Sequence, residues 1–145
     1  CSNFIATIVT VNFFKMNIKT LSLMLFLLFA NSISAQSIFE KWPEMNVFHE
    51  VISETFHPTE ENNLEPLKTR SEELMKKAEN LLNSNIPEEY RTKAILSALE
   101  ILQIKSETLH KLVLSKASDT ELKQSIIGVH DAFHEIVGLC NEKEK

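Results

Sequence analysis

Glycine is almost missing from this chain. Two occur, Gly128 and Gly138, and both fall inside one helical pattern, so no glycine-rich loop is available to cradle a phosphate. No basic stripe is visible either. Binding to nucleic acid needs clustered Lys and Arg to neutralise phosphates, and the formal net charge is −5. Long apolar runs are short: a membrane-spanning helix needs about 20 such residues. The run Leu21 to Ala30 falls below that, and Lys15 and Lys19 separate it from the apolar stretch Phe4 to Phe14. A two-segment anchor is the rival reading of that region. Cys-x-x-Cys-His does not occur, which excludes covalently attached c-type haem, and His-Glu-x-x-His does not occur. With no nucleophile–base pairing or carboxylate dyad in view, the sequence gives no support for an enzyme.

What is present begins with an export pattern. Met16-Asn-Ile-Lys-Thr is followed by the apolar run from Leu21 and then by Asn-Ser-Ile-Ser-Ala. A positive flank, a short apolar stretch and a small residue, Ala35, at the cut site are the marks of a secretory signal peptide. Residues 1–35 are therefore read as upstream residues plus a signal, and residues 36–145 as the exported domain, periplasmic or secreted from a bacterium. Losing Lys15 and Lys19 but no acid leaves 13 basic and 20 acidic residues, a net charge of −7. Cys1 precedes the signal, so Cys140 is the one thiol of the exported part and no internal disulfide can form. It could pair between chains, ligate a metal or be buried, and burial is the simplest of these. No cysteine sits at the cut site to carry a lipid anchor.

The exported part reads as all-α. Apolar residues recur at intervals of three and four, and β-branched alternation is absent. A first helix is expected from about Ser37 to Phe56, with Ile38, Trp42, Met45, His49, Ile52 and Phe56 on one stripe. Pro43 lies in or before its first turn, and Pro58 is expected to hold His57 out of helical geometry. A second helix opens near Pro66, a favoured starting residue, and ends near Asn83. A third runs from Pro87 to about Ser115. A fourth opens on Ser118-Asp-Thr-Glu121, a capping box, and reaches about Cys140. Short connections imply antiparallel neighbours, hence an up-down-up-down four-helix bundle. About 110 residues can bury one modest core.

The five histidines, His49, His57, His110, His130 and His134, all lie beyond the signal. His49 interrupts the apolar stripe of the first helix and His130 that of the last. His134 follows His130 by one turn, on the same face. Measured from the loops near Glu61 and Ala117, His49 falls opposite His130, and Met45 opposite His134. Three imidazoles and a thioether are thus expected to meet inside the bundle, with Glu54, Glu73 or Asp131 nearby. Neutral imidazole ligates copper, zinc, nickel and iron, and two histidines at i and i+4 bind one ion from one helix face, with a third closing the site. His57 is read as a helix-end histidine or a further ligand. His110, near Gln103 and Ser106, is expected to face solvent.

Met45 in Trp42-Pro-Glu-Met-Asn-Val-Phe-His and His134 in Asp131-Ala-Phe-His-Glu carry a resemblance. In layout the exported part resembles the soluble periplasmic b-type cytochromes, four-helix bundles with a Met early in the first helix and a His late in the last. That resemblance implies non-covalent haem b held axially by Met45 and His134, and electron transport. The second histidine pair, His49 and His130, departs from it. Three functions are expected in turn. The first is a metal-binding bundle using His49, His130, His134 and His57 for carriage, buffering or sensing. The others are a haem-binding electron carrier and an interaction module without a cofactor. Neither a nucleic acid nor, after signal removal, a membrane is an expected partner.

Overall fold

The computed structural model describes residues 37–143. The expected signal peptide lies outside the described residues. The described residues are helical with no strand: α1 (Ile38–Lys41), α2 (Pro43–Glu60), α3 (Glu65–Leu82), a 3-10 turn at Glu88–Tyr90, α4 (Lys93–Leu114) and α5 (Asp119–Lys143). Among them no helix is long and apolar enough to cross a membrane.

The first expected helix is in fact two, and it ends later than expected. Trp42 sits at φ −133° and ψ 85° between α1 and α2. Its successor is proline, which disfavours the helical region for the residue before it. Trp42 gains from leaving the helix: it is fully buried, donates from Nε1 to Ser84 Oγ at 2.8 Å and stacks on Tyr90 with centroids 6.2 Å apart. The same local rule fails at His57. There α2 continues through Pro58 to Glu60, because Phe56 and Thr59 on that last turn are buried in the core. Packing outweighs one lost hydrogen bond near a helix end.

With both glycines inside α5, the helix ends use other residues. A helix closing on a left-handed residue satisfies its last carbonyls through 6→1 and 5→2 hydrogen bonds. Asn62 (φ 67°) does this for α2, with Asn63 N donating to Pro58 O and Asn62 N to Thr59 O. Lys116 (φ 55°) does it for α4, with Ala117 N donating to Leu112 O and Lys116 N to Val113 O.

The third expected helix also starts later. Pro87 is extended (φ −55°, ψ 143°), and Tyr90 is buried against Trp42, so the chain is spent on a 3-10 turn before α4. Thr92 then caps α4, its Oγ1 accepting from Ile95 N at 3.3 Å. The capping box of α5 forms as read: Ser118 N donates to Glu121 Oε2 at 2.9 Å, and Glu121 N to Ser118 Oγ at 3.3 Å. The Ser118 hydroxyl also donates to Glu121 Oε2, at 2.7 Å, and this bond, with that from Ser118 N, holds the Glu121 carboxyl below its ordinary range.

One core joins every helix, from Ile38 to Cys140, and Cys140 is fully buried. Consecutive long helices pack closely, α2 on α3, α3 on α4 and α4 on α5. The first and last of these, α2 and α5, also touch, but approach less closely. Aromatic side chains span that wider seam. Phe48 of α2 and Phe133 of α5 meet there, centroids 5.1 Å apart, both fully or almost fully buried.

Candidate metal-binding site on the seam between α2 and α5

A dipeptide organises this seam. Phe-His occurs at Phe48-His49, Phe56-His57 and Phe133-His134. Neighbouring residues on a helix point about 100° apart. In each pair the phenyl ring is buried and the imidazole is exposed. The phenylalanines thus anchor the seam and set the histidines along its rim. The repeat is visible in the sequence, but it has meaning only once the phenylalanines are known to share one seam.

The rings form a continuous contact series. His49 lies 5.4 Å from Phe39 and stacks at 5.8 Å on Phe133 (centroid distances). Phe133 meets His134 edge-on at 6.2 Å, and His134 meets His130 at 4.4 Å. His130 lies flat on Phe56, centroids 3.9 Å apart and planes 9° from parallel. His57 completes the series against Phe56 at 5.6 Å.

Two imidazoles of the series make a polar contact with each other, His130 Nε2 and His134 Nε2 at 3.1 Å. One ring donates N–H and the other accepts, so at least one must be neutral. His130 fits that role. Burial of its half-buried ring, and next the charge of His134, push its pKa below the ordinary histidine value, although Asp131 acts the other way. Asp131 Oδ1 stands 3.8 Å from His130 Nδ1.

The remaining candidates are placed as follows. His49 is not inside the core. Phe48, its neighbour in sequence, takes the inward position three residues after Met45, and His49 turns to the rim, 3.4 Å from Ser53 Oγ. Both residues satisfy helical spacing from Met45, and the more apolar one wins the core. The expected meeting of three imidazoles in the interior is thus corrected: the rings lie along the edge of the seam. His57 is exposed and holds Glu60 Oε2 from Nδ1 at 3.0 Å. His110 is half-buried rather than solvent-facing, 3.0 Å from the hydroxyl of buried Ser71 on α3. Glu54 and Glu73 are both engaged by Arg70. Among the described residues no three His, Cys, Asp or Glu side chains gather into a ready cage.

The chain matches no protein-family model, no curated protein and no solved structure. The site is therefore read from its own chemistry.

Met45 has no exposed surface, whereas His134 is exposed and engaged with His130. A haem gripped by both would have to open the core around Met45 and break the imidazole contact. The groove beside Phe56, lined also by Thr59, Glu60, Lys123 and Ile127, has about 130 Å³.

Proposed function

We propose that this protein is exported and binds a transition-metal ion through His130 and His134, for carriage, buffering or sensing. The observation that carries the reading is the 3.1 Å approach of the two Nε2 atoms. Two nitrogens bound at about 2.0–2.1 Å in a tetrahedral zinc site lie roughly 3.3 Å apart, so little movement converts the hydrogen-bonded pair into a chelate. The low pKa of His130 favours the neutral, ligating form at neutral pH. Zinc, copper, nickel and iron all suit such nitrogen ligands. His49 and His57 are auxiliary in this reading, since Ser53 and Glu60 already engage them.

The scaffold in this reading is an antiparallel up-down-up-down bundle of α2, α3, α4 and α5. Its support is the short chain between successive helices and their sequential packing. Export is supported by the Met16–Ala35 pattern and by the compact unit that starts at Gln36, the residue after the expected cut.

Calorimetric titration of the purified chain with zinc, copper(II) and nickel tests the binding. The His130→Ala and His134→Ala variants are each expected to lose most of the affinity, with chelator restoring the metal-free state. Absence of binding by the parent chain, or binding by both variants as tight as that of the parent chain, refutes the reading.

A further inference from the structure

We infer that the bound ion joins two copies of this chain, with His130 and His134 of each copy as its four ligands. The inference rests on the metal-binding reading above. A closed tetrahedral site takes four ligands, and the described part of one chain brings two imidazoles to hydrogen-bonding distance on α5. His134 is exposed and His130 half-buried, and the contact between their Nε2 atoms lies at the exposed surface of α5. A two-fold axis through the ion turns one pair of nitrogens into two symmetry-related pairs, four ligands in all, in the simplest closed assembly for identical chains.

The surroundings make such contact conditional on the metal. Asp131 and Glu135, beside the pair, are exposed, so two metal-free copies would face each other with like charge. A divalent cation between them offsets that repulsion. Ile127 is 40% exposed and shares this face, three residues before His130 and seven before His134. It gives the approaching helices an apolar contact beside the ion. His57 stays with Glu60 and need not move.

The test is the mass of the full purified chain by sedimentation velocity, with zinc and with excess chelator, alongside calorimetric stoichiometry. The expected result is a doubling of mass with zinc, one ion for two chains, and reversal by chelator. His134→Ala, with its helicity checked by circular dichroism, is expected to stay monomeric. A monomer that binds one ion per chain overturns the shared site but leaves the metal-binding reading intact. A dimer that persists in chelator overturns the bridging role of the ion. A chain that takes up no metal at all refutes both readings.

Discussion

Trp42 shows how one side chain can decide a helix boundary. Its indole is fully buried, and the Nε1 donor is satisfied by Ser84 Oγ, which in turn donates to Leu81 O at 2.7 Å. Ser84→Ala would leave a buried N–H without its acceptor, at a cost of about 1–3 kcal/mol. That loss should appear as a lower midpoint in urea. It should shrink when Trp42→Phe is already present, and equal losses in both backgrounds would show that the bond is not the cause.

His130 links stability to pH with a definite sign. Burial against Phe56 lowers its pKa from the ordinary 6.5, so the folded state favours the neutral ring more than the unfolded chain does. The associated stability is complete above that ordinary value and is lost as pH falls through the depressed one. Thermal midpoints should therefore drop as pH is lowered from about 7 to 5. His130→Phe, which keeps a ring on Phe56, should flatten the drop, and an unchanged slope would contradict the assignment. Glu72 and Glu73 act in a lower window. Lys76 and Arg70 respectively hold them below the ordinary carboxylate range, so their contribution fades only at more acid pH.

At the scale of the elements, scarce glycine leaves its mark at helix ends. Asn tolerates the left-handed conformation, but lysine at φ 55° is strained by its Cβ. Lys116→Gly should relieve roughly 1–2 kcal/mol of that strain. The greater freedom of glycine in the unfolded chain should offset about 0.4–1 kcal/mol of this gain. A net rise in the denaturant midpoint is expected, and a fall would mean that Lys116 contributes more through its surroundings than its backbone costs.

Elements were unequally legible from the sequence. The capping box at Ser118 and Glu121 and the proline start of α3 depend on residues close in sequence, and both form as read. Two of the X-Pro steps could not be told apart in that way. Trp42-Pro43 breaks the helix and His57-Pro58 does not, because burial decides which local penalty is tolerated. The late start of α4 has the same origin, since Tyr90 is held in the core before the helix begins.

On the scale of the whole molecule, Gln36–Lys145 forms a compact unit. A chain beginning at Gln36 should therefore unfold in one cooperative transition, as a small single core does. Its thermal midpoint, followed by circular dichroism, should match that of the bundle in the full chain. A truncated chain that fails to fold would show that earlier residues belong to the core. N-terminal sequencing of the secreted product is expected to begin at Gln36, and an unprocessed product would refute removal of a signal peptide.

By itself the sequence determined the helical character of the described residues and a pair of imidazoles one turn apart on the last helix, while for Cys140 it left several readings of which the structure shows burial. Those features depend on spacing along one strand of chain, and helical geometry converts spacing directly into a shared face. It also carried the three Phe-His steps that frame the candidate site. Tertiary structure alone decided which member of each step faces inward, because that choice depends on what lies across the seam. It placed Phe48 rather than His49 in the core, laid His130 flat on Phe56 and diverted His110 to Ser71. An imidazole between apolar neighbours suits either a core or a rim by pattern, and only the competing side chains of the facing helix resolve it.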